Sequence, residues 1–407
     1  MKRGYKVRWR CSNMSNDTQP EIRFPGFTED WEERKLRELL DLLKDGTHGT
    51  HSDVEEGVYL LSAKNIKNGI VNIDSATDRK ISKQEFASIH KNFNLEKGDV
   101  LLTIVGSIGE SAIIENPEGI TFQRSVAYLR PNKMLSSLFL YNNINGSKFQ
   151  AELKKRQVIS AQPGIYLGDL AVIPIKLPTL TEQIKIGAFF SVLNKTIALH
   201  QRKLDLLKET KKGFLQKMFP KNGAKVPEIR FPGFTEDWEQ RKLGELTKIK
   251  TGSSDLQDAD AKGIYPFFVR SEIIERSNRY IFDGEAILIP GEGRLGEIYH
   301  YINGKFDFHQ RVYKISDFQY SDTDGKYILY YMQKYFKKHA MKYTVKATVD
   351  SLRLPMLTEF DIKIPSLDEQ RAISSFFSNL DQAITLHQRK LDLLKETKKG
   401  FLQKMFV

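Results

Sequence analysis

The sequence predicts an α+β protein: two similar mixed α/β domains and a long coiled coil made by two paired helices. Three observations predict it. A frame of sequence occurs twice around two different middles, a heptad pattern runs through the end of each copy, and both middles mix strand-like and helix-like stretches. A chain of 407 residues is long enough for two or three domains that each bury a core.

The frame comes first along the chain. Residues 20–32 read PEIRFPGFTEDWE, and residues 227–239 repeat them without change. KLREL at 35–39 is answered by KLGEL at 242–246. The acids of TEDWE predict a helix start, where Asp30 and Asp237 cap backbone N–H groups with Glu33 and Gln240 three residues on. The longer repeat, LHQRKLDLLKETKKGFLQKMF, fills 199–219 and 386–406, and LPTLTEQ at 177–183 resembles IPSLDEQ at 364–370. A solenoid would show shorter and more uniform units, so this is one module used twice with its middle exchanged.

The middles, 40–176 and 247–363, read as mixed α and β. GVYLLSAKNI at 57–66 and DVLLTIV at 99–105 are strand-like, 135–157 reads as helix with a loop, and short strands return before Leu177. In the second middle IYPFFVR from Ile264 and EAILIP from Glu285 are strand-like, and YILYYMQKYFKKHA from Tyr327 is helical. Faint matches connect the two: Gly106 and Gly109 with Gly293 and Gly296, Gln123-Arg124 with Gln310-Arg311, and 59–64 with 265–270. The middles therefore share a fold while differing in surface chemistry.

The helices close each module. Ile186, Phe190, Leu193, Ile197, His200, Leu204, Leu207, Lys211, Phe214 and Met218 step alternately by four and three. Ile373, Phe377, Leu380, Ile384, His387, Leu391, Leu394, Lys398, Phe401 and Met405 do the same. A period of 3.5 held this long argues a coiled coil, and two copies in one chain most simply pair with each other. Pro178 and Pro365 sit just upstream, where a helix start tolerates them, and Pro220 ends the first helix. The expected divisions are a basic, disordered leader at 1–19, a first mixed domain at 20–178, a helix at 179–219, a linker at 220–226, a second mixed domain at 227–365 and a second helix at 366–407. In the leader, MKRGYKVRWRCSN, Met14 stands as an alternative start, and a basic arm touching DNA is the second reading.

Composition narrows the function. A net charge of +12 suggests a polyanionic partner, nucleic acid first. The single cysteine excludes a disulfide scaffold and a Cys-based metal site, and suits a reducing cytoplasm. No apolar run has the length of a membrane span. Catalytic motifs are missing as well. Gly291-Glu-Gly293-Arg-Leu-Gly296 fits G-x-G-x-x-G but leads into a second strand, so it reads as a hairpin turn and not as a nucleotide site. There is no P-loop and no Asn-Pro-Pro-aromatic motif of an amino-methyltransferase, and His48, His51 and Asp53 read as an exposed loop. No catalytic, metal-binding or cofactor-binding residue is expected. What remains is recognition by Arg, Lys, Asn and Gln at loop positions. The candidates are Lys64, Asn65, Ser107, Gln123 and Arg124 in the first module, and Arg270, Ser271, Arg294, Gln310 and Arg311 in the second.

The doubled PEIRFPGFTEDWE and KLxEL frame, the doubled Leu–x–Glu–Gln motif after a proline (180–183 and 367–370) and the heptad helices resemble the specificity subunit of type I restriction-modification enzymes. GDVLLTIVGSIGESAI with FQRSVAYLRP is similar to that family's target-recognition domains, and the likeness covers nearly all of 20–406. The resemblance implies two target-recognition domains, each reading half of a split double-stranded DNA target, separated by antiparallel helices that act as a spacer. It implies two docked modification subunits that methylate adenine with S-adenosylmethionine, and restriction subunits that use ATP and Mg for translocation and cleavage. The subunit itself is then non-catalytic and cytoplasmic, with no cofactor in this chain. A stand-alone sequence-specific DNA-binding regulatory or architectural protein and a nuclease that cuts alone are the rival classes, and neither a helix-turn-helix signature nor a metal cluster supports them.

Overall fold

The structure is a computed structural model that describes residues 10–11, 18–158, 163–221, 223–343 and 351–407. It divides into two units, residues 1–200 with 390–407, and residues 201–389. Most of the leader lies outside the described residues. Arg10–Cys11, expected to be disordered, instead pairs antiparallel with Ile22–Arg23.

Unit 1 opens with β1 (Glu32–Lys35) and β2 (Leu40–Asp45). The strand-like stretch that follows is β3 (Val58–Leu61), beside β4 (Lys80–Ile81). Helix α1 (Lys83–Ile89) starts where the Ser82 hydroxyl accepts the Glu85 N–H at 3.1 Å. Then come β5 (Val100–Thr103), β6 (Ser111–Ile113), β7 (Ile120–Phe122), β8 (Val126–Pro131), helices α2 (Ser137–Ile144) and α3 (Ser147–Lys155), and β9 (Pro174–Leu177). One antiparallel sheet has the order β6-β5-β8-β2, and a second has the order β7-β3-β4 with β3 and β7 parallel. The long helix α4 (Leu180–Lys217) follows.

Unit 2 reuses this plan with β10 (Glu239–Lys242), β11 (Lys248–Thr251), β12 (Tyr265–Phe268), β13 (Ile274–Ser277), β14 (Phe282–Pro290), β15 (His300–Phe308) and β16 (Val312–Ser316). Helix α5 (Gly325–Ala340), β17 (Asp361–Ile364) and the second long helix α6 (Leu367–Lys404) complete it. Here the strands form one six-stranded sheet, β11-β16-β14-β15-β12-β13. The continuous β15 does the work of β6 and β7, which in unit 1 are interrupted by a loop containing Pro117, a residue with no N–H for a ladder.

TEDWE is not a helix start. Glu32–Lys35 lies antiparallel to Pro174–Leu177, and Glu239–Lys242 to Asp361–Ile364. A strand partner far along the chain overrides the local capping signal. Asp30 accepts from the Gln19 amide at 2.7 Å, and Asp237 pairs with Lys225 at 2.8 Å.

The doubled Glu–Gln motif ties each frame to its helix. Arg23 donates to both oxygens of Glu182 at 2.7 and 2.8 Å, and Arg230 to both of Glu369 at 2.7 Å. Both carboxylates are 1% exposed, so removing either partner strands a buried charge. The neighbouring glutamine reaches the other way. Gln183 accepts the Ser136 N–H just before α2, and Gln370 accepts the Asp324 N–H just before α5.

All twenty heptad positions, the last of each set (Met218 and Met405) falling just past the ends of α4 and α6, are buried or half-buried. The helices run antiparallel: Lys211 pairs with Asp381 at 2.6 Å, while Phe214, further along α4, packs on Phe376, further back along α6, at 4.9 Å. In unit 1 the equivalent Phe189–Phe401 contact is 5.0 Å. Each core thus takes the start of one long helix and the end of the other. Unit 1 holds Ile186 and Phe190 with Met405 and Phe406; unit 2 holds Ile373 and Phe377 with Met218 and Phe219. Phe190 meets Phe406 at 5.9 Å as Phe377 meets Phe219 at 5.9 Å, and Trp31–Phe406 and Trp238–Phe219 are both 6.4 Å. The sequence repeat and the folded unit therefore differ, because the last residues of the chain complete the first core.

Candidate nucleic-acid interface

Two glycine turns carry Ser107 and Arg294, and the other candidates lie on neighbouring loops. Gly106, Gly109, Gly293 and Gly296 all adopt positive φ, between 64° and 98°, which only glycine adopts without strain. The second turn joins two antiparallel strands, β14 and β15, as the hairpin reading expects.

In unit 2 the loops bring three arginines to carboxylates, two of them to the same one. Arg270 Nη1 donates to Glu292 Oε2 at 2.9 Å, and Arg311 Nη1 donates to Glu292 Oε1. The Arg270 hydrogen bond, helped by Arg311 and opposed by partial burial, holds Glu292 below the usual carboxylate range. Arg294 donates to Glu272 and lies 3.9 Å from Glu297, which Lys337 also grips. Gln310 donates to Asp255 at 2.7 Å. Ser271 is half-buried, and its carbonyl lies 3.0 Å from His300 Nε2. Beneath this surface the fully buried Asp307 accepts from Ser254 and Ser277, with Arg279 Nε at 3.3 Å. His309 Nδ1 accepts the Arg311 N–H at 2.9 Å, which fixes the backbone that carries the arginine.

Unit 1 is built differently. Lys64 reaches Asp78 at 2.9 Å. Burial works to raise the Asp78 pKa, but Lys64, the Asp74 N–H and the Asn65 amide outweigh it and keep it below the usual range. Arg124 is exposed; its backbone N–H donates to Thr47, and its guanidinium has no partner among the described residues. Gln123 is half-buried, and Ser107 is exposed, its carbonyl accepting from the Thr103 hydroxyl.

Asn65 is a correction. It is 4% exposed, accepts the Ser62 N–H at 3.0 Å, and donates to Asn72 O at 2.9 Å and to Asp78 at 2.7 Å, so it is a loop brace and cannot read a base. His51 is also not plainly exposed: its ring lies 2.6 Å from Glu85 and 2.9 Å from Thr47. His48 pairs instead with Asp45 and Asp53 with Arg79, and no metal-ligand group occurs among the described residues.

Backbone hydrogen bonds also correct the register between the middles. Gln123 N–H donates to Leu61 O, and His309 N–H to Phe268 O. Arg124 N–H donates to Thr47 O, and Gln310 N–H to Ser254 O. Gln123 is therefore equivalent to His309, Arg124 to Gln310 and Ser125 to Arg311. The parallel pairs agree: Phe122 lies opposite Leu61, and Phe308 opposite Phe268, so Ala63 is equivalent to Arg270 and Lys64 to Ser271. Matching identical letters placed both segments one residue out, and in a strand one residue exchanges the two faces. The sequence also missed Glu292, an acid about twenty residues from either arginine, for which no local spacing gives a signal.

The family model for the type I restriction modification DNA specificity domain matches residues 28–209 and again 235–396. The type I restriction enzyme MjaVIII specificity subunit of Methanocaldococcus jannaschii is 24% identical over 92% of this chain and 91% of its own. The EcoDI specificity subunit of Escherichia coli is 30% identical over 41% of this chain and 36% of its own. The crystal structure of a type I restriction-modification S subunit from M. genitalium superposes with a TM-score of 0.69 at 17% identity, covering 96% of this chain and 99% of that one.

Proposed function

The chain belongs to the type I restriction modification DNA specificity family, and from that premise we propose that it is the DNA sequence-specificity subunit of a type I restriction-modification complex. Each unit reads one half of a bipartite double-stranded DNA target. The paired helices set the unread gap and dock two adenine-N6 methyltransferase subunits, to which restriction subunits add cleavage; the chain itself carries no catalysis. The observation that carries this reading is the contrast between frame and loops. Both frames make the same Arg–Glu, Trp–Phe and Phe–Phe contacts, while the residues around the glycine turns differ in charge and in partner. Both helices also carry exposed apolar side chains suited to partner contacts. Ile184, Val192, Leu199 and Leu206 on α4, and Leu386 and Leu393 on α6, stay 56–67% exposed away from the seam. No described helix is long and apolar enough to cross a membrane.

The test is co-expression with modification subunits followed by genome methylation mapping. A two-part adenine motif is expected, and exchange of residues 247–363 should change one half of it only. A purified chain that cuts DNA alone, or a methylation pattern without two halves, would overturn the assignment.

A further inference from the structure

Arg270, Glu292 and Arg311 form a unit of three side chains that unit 1 lacks. Their equivalents there are Ala63, Val105 and Ser125. Val105 pairs with Gly164 as Glu292 pairs with Ser351, and the Ala63 N–H donates to the Ser125 hydroxyl at 3.0 Å. The same place is thus closed by a small neutral hydrogen bond in unit 1 and occupied by two guanidiniums in unit 2.

The way Glu292 holds the arginines matters chemically. Each of its oxygens takes one Nη1, and neither Arg270 nor Arg311 makes another side-chain hydrogen bond among the described residues. The Nε–Nη2 edge of each guanidinium remains available. That edge presents two parallel N–H groups, the geometry that matches O6 and N7 of guanine in the major groove. Arg294 differs, because its Nη2 is held by Glu272 and its Nε lies near Glu297. A carboxylate that fixes two otherwise flexible side chains lowers the entropy lost when they engage a base. The side chains of Arg270 and Arg311 are 45% and 55% exposed, while that of Glu292 is 26% exposed, so the arginines face outward from an anchored base.

Resting on the specificity-subunit reading, we infer that Arg270 and Arg311, positioned by Glu292, are the guanine readers of unit 2, and that its half-site contains a G·C pair which only this device requires. Glu292 is a positioning residue: it acts through the arginines and does not touch DNA.

The experiment uses the assembled complex with its modification subunits and genome methylation mapping, the half-site of unit 2 being the one that changes on exchange of residues 247–363. Arg311→Lys keeps the charge but loses the bidentate edge, so discrimination at one G·C position should fall about 5- to 100-fold with the rest of the motif retained. Glu292→Gln should relax the same position, and Glu292→Asp should restore part of it, which a merely structural role would not do. An unchanged motif in Arg311→Lys, a uniform loss of methylation at all sites in Glu292→Gln, or a unit 2 half-site without G·C would overturn the inference. A wild-type complex that gives no two-part motif would overturn the specificity-subunit reading itself, and this inference with it.

Discussion

The two units share a skeleton and differ in how they hold charge. In unit 1 the candidate side chains stand singly: Lys64 is tied to a buried aspartate and Arg124 is free of side-chain partners among the described residues. In unit 2 Arg270 and Arg311 are cross-linked through Glu292, and Arg294 is held apart from them by Glu272 and Glu297. Deeper in the sheet the contrast recurs. The strand position of Tyr128 in unit 1 belongs to Lys314 in unit 2, which is 5% exposed, 3.4 Å from the Phe282 ring centroid and 2.7 Å from the Ser316 hydroxyl. Where the modules are identical in sequence, their geometry repeats to within about 0.1 Å in ring spacing. The difference teaches that the frame is held constant while the middle varies, in its surface and in its sheet alike.

The largest expected effect tests the common skeleton. Phe406→Ala should destabilise unit 1 by about 3–5 kcal/mol, and Phe219→Ala should do the same to unit 2. Hydrogen exchange resolved by unit would show protection lost in unit 1 for the first variant and in unit 2 for the second. A loss confined to α6 in Phe406→Ala would break the equivalence. Next come the buried pairs: Glu182→Ala and Glu369→Ala should each cost about 3–5 kcal/mol, because each leaves an arginine buried without its carboxylate. Chemical denaturation of the two variants should give matching losses.

Lys314 sharpens the contrast through pH. Burial pushes its ammonium down to about 8, the nearby Asp317 opposing. Between pH 8 and the ordinary lysine value the unfolded chain binds more protons than the folded one, so unit 2 gains stability as pH rises through that window and lacks it below. Lys314→Met should remove the dependence and stabilise unit 2 by about 1–3 kcal/mol near pH 7. Melting curves at pH 7 and 9.5 would check both.

The smallest effect lies in the seam. Lys211 has Asp381, but its counterpart Lys398 in unit 1 faces the position of Asn194, and burial lowers the Lys398 pKa. Asn194→Asp should stabilise unit 1 by about 0.5–1 kcal/mol, and Asp381→Asn should cost unit 2 a similar amount. Equal stability of Asn194→Asp and the wild type at low salt would show that the helices are not equivalent at this level.

Much of this was legible in the sequence because it is local or periodic. The heptad set, the prolines before each helix, the glycine turns and the strand-like DVLLTIV and EAILIP all sit where their spacing predicts. The misreadings share a cause. TEDWE carries a good capping pattern, yet Glu32–Lys35 becomes a strand because Pro174–Leu177 arrives beside it. Asn65 looks like an adenine reader until Asn72, Asp78 and Ser62 close around it. Gln-Arg occurs in both middles, but the strand ladders align Arg124 with Gln310 and Ser125 with Arg311. Each error concerns a contact made only once the chain has folded.

By itself, then, the sequence determined the family, the duplication, the two seams and the kinds of side chain available for recognition. These rest on periodicity and on repeated segments, which need no knowledge of contacts. The tertiary structure decided which residues share a core, which strand register holds and which charges meet. It assigns Phe406 to the core of unit 1 and not to the module in which it is written, and it gathers Arg270, Glu292 and Arg311 from three loops. Those outcomes depend on long-range pairing, where a single residue of register exchanges the faces of a strand and with them the side chains each face presents.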